Sequence, residues 1–103
     1  METPDNLSVS VRRQGAHARV VVAGELDMHT SPVLSDWLSC VGDANVIDVD
    51  AGGITFIDSS GLQALLDAQK ATSARGAELR IVVTSDRVAR LVEIAGVADL
   101  LLE

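Results

Sequence analysis

The chemistry-bearing stretch of this chain is Asp58-Ser59-Ser60-Gly61, where two hydroxyls follow a carboxylate. Ahead of it lies the apolar run Ile54-Thr55-Phe56-Ile57. Behind it Leu62, Leu65, Leu66 and Ala68 recur at helical spacing, with Gln63, Asp67 and Lys70 on the opposite side. The run therefore reads as a helix start. Ser60 with Gln63 three residues on predicts a capping box, the hydroxyl accepting the Gln63 N–H and the amide reaching back. That leaves Ser59 just outside the first turn, beside the bare N–H groups. A helix N-terminus offers free donors and partial positive charge, so it tolerates an anion. A hydroxyl there can take a phosphoryl group without disrupting the fold. Ser59 is the candidate acceptor and Ser60 the second choice. Glu25 and Asp27, in Gly24-Glu25-Leu26-Asp27, are the other acids singled out.

Other chemistries lack their parts. Ser59 has no neighbouring histidine and no Gly-x-Ser-x-Gly elbow, so a serine hydrolase is not expected. Ala51-Gly52-Gly53 precedes a strand-like run and carries no lysine, unlike a phosphate-cradling loop. The one lysine, Lys70, falls within a helix, where it cannot serve a phospho-aspartate site. Cys40 is alone and His17 and His29 stand apart, so neither disulfide nor metal site is expected. Cys40 reads as a buried inert thiol and Trp37 as core. No catalytic residue and no cofactor is expected.

A length of 103 residues allows one domain with a core over about 7–102, and residues 1–6 are expected to be flexible. Fifteen acidic against eight basic residues give a net charge of −7, which disfavours nucleic acid and anionic membranes. The polar, acidic start is no signal peptide, and no apolar run reaches membrane-spanning length, so a cytoplasmic domain is the expectation.

The elements that must position the hydroxyls follow from periodicity. Residues 7–11 alternate strictly and residues 19–23 are centred on three consecutive valines, predicting an antiparallel hairpin. Thr30-Ser31-Pro32 opens a helix, with Ser31 as cap, Pro32 at its first position and Gly42 as its end. Residues 46–49 read as a buried strand ahead of the central helix, which Gly76 stops. Residues 78–83 make the next strand, and Ser85 caps a helix with Val88, Leu91, Val92 and Ala95 on its apolar face. Leu100-Leu101-Leu102 is either a short strand or a packed tail. The order β-β-α-β-α-β-α-(β) predicts an α/β fold: a small mixed sheet, hairpin plus parallel strands, packed with about three to four helices.

Gly24-Glu25-Leu26-Asp27 leading into Thr30-Ser31-Pro32-Val33-Leu34, followed by residues 50–62 with their Asp-Ser-Ser-Gly-Leu segment, resembles the STAS domain family. Within it the chain is similar to the bacterial anti-sigma factor antagonists. The resemblance implies binding to an anti-sigma factor with a kinase-type ATP-binding fold, which releases a sigma factor. It further implies phosphorylation of Ser59 by that kinase, release on phosphorylation, and reversal by a PP2C-type phosphatase. The implied partner surface comprises Glu25, Asp27, Asp58, Ser59, Ser60, Gly61 and Leu62. Phosphate there is expected to act on the complex and to leave the fold alone. The alternative is an adaptor role, as a subunit of a lipid-transport ATPase or larger signalling assembly, with no phosphorylation.

Overall fold

The computed structural model describes residues 6–103, so the flexibility expected of the first residues falls almost wholly outside the described residues. The strands β1 (Leu7–Gln14) and β2 (His17–Leu26) form the antiparallel hairpin. Then come α1 (Ser31–Cys40), β3 (Val46–Ile57), α2 (Ser59–Ala74), β4 (Glu78–Thr84), α3 (Asp86–Ile94) and the short α4 (Ala98–Leu101). The sheet order is β1-β2-β3-β4, with β2, β3 and β4 mutually parallel. The expected mixed sheet with helices is what forms.

Alternation along the strands decides which face is covered. Ala18, Val20 and Val22 of β2, Ile47 and Val49 of β3, and Leu79 and Ile81 of β4 are buried. Against them pack Leu34 and Leu38 of α1, Leu62 and Leu65 of α2, and Val88 and Val92 of α3. Parallel neighbours joined by crossovers of one hand place α1 and α2 on the same face, and the two helices are in contact.

The alternate residues carry charge. Asp48 is buried, yet its carboxylate accepts from Arg80 Nε at 2.7 Å and meets His17 Nε2 at 2.7 Å, tying β2, β3 and β4 together. Arg19 bonds Asp50 at 3.1 Å beside it. Burial pushes the Asp48 carboxyl up, but the bonds from Arg80 and His17 outweigh it and hold the group below its ordinary range. Such a group stabilises the fold above the unfolded-state pKa and loses that contribution as pH falls through the folded value. Urea unfolding midpoints are therefore expected to drop below pH ~4. In Asp48→Asn the midpoint is expected lower at pH 7 and to fall less on acidification. An Asp48→Asn profile parallel to wild type would refute the assignment.

Several local expectations are corrected. β3 does not stop at Val49: it runs to Ile57, with a register shift against β4 between Val49 and Asp50 and two against β2, the first of them between Asp50 and Gly53. A Cβ on Gly53 would sit 2.8 Å from that of Ala23, and one on Gly52 2.8 Å from Val83 Cγ1. The glycines thus admit neighbouring side chains and do not break the strand. Ser31 is the first residue of α1, and Thr30 occupies the cap position without capping through its side chain. Cys40 is exposed, not buried, and Trp37 is half-buried and not part of the core. Ala95 is exposed. The C-terminal leucines divide: Leu101 is buried in α4, while Leu102 makes a single parallel bridge to Ile81.

Candidate functional site

Parallel strands deliver their C-terminal ends to one edge of the sheet, the usual place for function in such folds. Here β2 and β3 end in register at Leu26 and Ile57, and the preceding pair is Glu25 with Phe56. Each strand then turns into a helix within a few residues. The β2–α1 loop presents Asp27, and the β3–α2 junction presents Asp58, Ser59 and Ser60. Glu25, Asp27, Asp58 and Ser59 are thereby brought to the same edge.

The junction is built differently from the capping box. Asp58 is the N-cap of α2, in extended backbone, and its Oδ1 accepts the Gly61 N–H at 3.0 Å. Its backbone carbonyl accepts from Leu62 at 3.0 Å, and its own N–H donates to the Leu26 carbonyl at 3.3 Å. Gln63 turns outward to donate to Asp67 at 2.8 Å. Ser59 and Ser60 therefore both lie in the first turn of the helix, so neither is outside it and Ser60 does not cap. What separates them is access. Ser59 is exposed, whereas Ser60 is half-buried against a cleft also lined by Pro32, Ser35 and Asp36.

Gly61 and Leu62 are buried. They support the surface from beneath and are not part of it. A Cβ on Gly61 would lie 2.6 Å from the Leu26 carbonyl oxygen, 2.8 Å from Leu26 Cγ and 3.1 Å from Ile57 Cγ1. Glycine lets the first turn of α2 sit down on the ends of β2 and β3.

The β2–α1 loop is held by Thr30, which the sequence offered only as a helix opener. Thr30 is 1% exposed, and its hydroxyl donates to the Glu25 carbonyl at 2.8 Å and accepts the Asp27 N–H at 2.9 Å. In return Asp27 Oδ1 accepts the N–H groups of His29 and Thr30 at 2.9 and 3.0 Å. Burial pushes the Asp27 carboxyl up, but these donors prevail and hold it below its ordinary range. The Asp-x-x-Thr spacing was the readable signal for this reciprocal turn. These bonds tie the loop together within its own four residues and to the end of β2.

No group of three His, Cys, Asp or Glu able to hold a metal ion occurs among the described residues. No helix among them is long and apolar enough to cross a membrane. What the arrangement offers is an exposed hydroxyl on a preformed acidic surface, at the positive end of a helix.

Known proteins share this plan. A family model described as "Mlab, STAS domain" matches residues 9–103. The anti-sigma-B factor antagonist of Listeria monocytogenes is 33% identical over 99 residues, covering 93% of this chain and 87% of that protein. The anti-sigma-B factor antagonist of Staphylococcus aureus is 35% identical over 98 residues, covering 93% and 91%. Among solved structures, an anti-sigma factor antagonist from Mycobacterium paratuberculosis superposes with a TM-score of 0.79 at 23% identity, covering 98% of this chain and 87% of that one. With the family model spanning residues 9–103 and both relatives aligned over 93% of its length, this chain belongs to the STAS domain family, and the relatives it resembles are anti-sigma factor antagonists.

Proposed function

We propose that this protein is an anti-sigma factor antagonist that binds a kinase-type anti-sigma factor, frees the sigma factor, and is switched off by phosphorylation of Ser59. The observation that carries the reading is the placement of Ser59: exposed, in the first turn of α2, directly after a carboxylate that already caps the helix. The names of the Listeria and Staphylococcus relatives support the class of partner.

The chemistry is simple on this side. The Ser59 hydroxyl oxygen attacks the γ-phosphorus of ATP held by the partner, the bond to ADP breaks, and the hydroxyl proton leaves to a base on the partner. Hydrolysis by a PP2C-type phosphatase returns the hydroxyl and releases inorganic phosphate. The antagonist contributes an accessible nucleophile on a rigid support and no catalytic group of its own. Phosphate adds roughly −1.5 to −2 charges. The α2 N-terminus offsets them by ~0.3–1 kcal/mol, and nearby carboxylates oppose.

The test is intact-mass spectrometry of wild type, Ser59→Ala and Ser60→Ala after incubation with candidate kinase-type anti-sigma factors and ATP. One phosphoryl group on wild type and Ser60→Ala, and none on Ser59→Ala, is the expected result. Phosphate retained on Ser59→Ala but lost from Ser60→Ala would transfer the site to Ser60. No phosphate with any candidate would favour the adaptor role.

A further inference from the structure

Two large apolar side chains stand in the open at the edge that carries Ser59. Phe56 is 41% exposed and Met28 is 66% exposed. Phenylalanine occurs once in the chain and Trp37 is the other aromatic, so the core has been built without Phe56. The register sets these groups around the acceptor. Phe56 lies across from Glu25, and Met28 and Ser59 each follow two residues after the terminal pair Leu26–Ile57. The turn locked by Thr30 fixes the segment that carries Met28.

The charges that the chain places next to the pair are carboxylates. Glu25, Asp27 and Asp58 occupy the same edge, and between Arg19 and Lys70 the sequence contains no arginine or lysine. Arg12, Arg13, Arg19, Arg75 and Arg80 lie towards the opposite edge, where the hairpin turns and β4 begins, and Arg87 and Arg90 sit on α3, which follows β4.

We infer that Phe56 and Met28 are the anchors of the partner interface, entering an apolar pocket on the anti-sigma factor whose rim presents Lys or Arg to Glu25 and Asp27. The inference rests on the function proposed above and names the contact chemistry of the same site. Aromatic anchors beside charged rims carry most of the energy in protein interfaces, and methionine adapts to irregular pockets. The arrangement also explains how one phosphate ends binding. The rim cations are engaged by Glu25 and Asp27, so a phosphate on Ser59 enters an apolar contact without a counter-ion.

The test measures calorimetric affinity of the full chain for a purified kinase-type anti-sigma factor from the same organism. ADP replaces ATP so that no phosphoryl group can transfer. The variants are Phe56→Ala, Met28→Ala, Ser59→Asp, and Ile94→Ala as an exposed apolar site on α3 outside the edge. Phe56→Ala is expected to weaken binding at least ~10-fold and Met28→Ala about 3–10-fold, with Ile94→Ala within twofold. Met28 lies on a loop, so its variant decides the matter if Phe56→Ala fails to fold. Binding by both variants within twofold of wild type, while Ser59→Asp loses it, overturns the anchor assignment and leaves the proposed function standing. Full binding by Ser59→Asp as well overturns both. A wild-type dimer abolished by Phe56→Ala, with partner affinity unchanged, would assign the patch to a second copy of this chain instead.

Discussion

Gly61→Ala is expected to destabilise the fold by about 2–3 kcal/mol, reversing the usual sign for glycine in a helix. Helix propensity alone makes alanine better by roughly 1 kcal/mol at an interior helical position. Gly61 gains nothing from unusual backbone, since its φ is not positive. The cost is steric. The new methyl would meet the Leu26 carbonyl oxygen at 2.6 Å, and that oxygen belongs to strand backbone that accepts from Asp58. Relief requires lifting the first turn of α2 off the sheet, which stretches the Asp58–Leu26 hydrogen bond and moves Ser59. Thermal unfolding should show Tm lower by roughly 10–20 °C. Unchanged or raised stability would mean that α2 is free to shift and that the site is not fixed by the sheet. Partner binding should fall beyond what the loss of folded protein explains.

Ser59→Asp is expected to weaken binding to the anti-sigma factor by ~100-fold or more, equivalent to about 2.7 kcal/mol, while moving Tm little. The small change in the monomer follows from the near balance between the helix N-terminus, which favours an anion, and Asp58 beside it, which does not. The large change in the complex has two sources. A charge without a counter-ion must be desolvated in the contact. In the proposed complex it would also stand beside the nucleotide held by the partner, where like charges repel. Ser59→Ala, which removes only the hydroxyl, should retain affinity within about threefold. Titration calorimetry alongside thermal melting separates the two effects. A Ser59→Asp variant that bound as tightly as wild type would defeat the switch, and one that melted far lower would relocate it into the fold.

Much of this molecule is written in short-range pattern. The alternation in residues 7–11 and the i, i+3, i+4 spacing of Val88, Leu91 and Val92 name their elements because each buries one face against a common core. Gly15, Gly76 and Gly96 take positive φ at a turn or past a helix end, and Gly24 does so inside β2, beside a register shift against β3. Gly24 would otherwise place a Cβ 2.2 Å from the Asn6 carbonyl. Less legible was anything in which two residues compete for one task. Asp58 and Ser60 can each cap α2, and sequence does not reveal that the carboxylate takes the Gly61 N–H first. The same limit applies to β3, where residues 46–49 read as a strand by themselves, while the room that Gly52 and Gly53 leave for Val83 and Ala23 is set by other strands. Cys40 was misplaced because one residue separates it from the stripe Leu34, Leu38 and Val41, and a shift of one position rotates a side chain by about 100° around a helix. Phe56 stands in an apolar run yet faces solvent. Its exposure follows from the irregular pairing of β2 with β3, which no local pattern announces.

The reciprocal bonds of Asp27 with Thr30, and of Asp58 with Gly61 and Leu26, leave the acceptor edge with nothing to rearrange. Under the function proposed above, such an edge would store the signal in a covalent bond alone. No slow relaxation would follow the arrival or removal of phosphate on Ser59, so the lifetime of the signal would equal the lifetime of one phosphate ester. The duration of the response would then be set by the abundance of the proposed kinase and phosphatase, with no clock imposed by this chain.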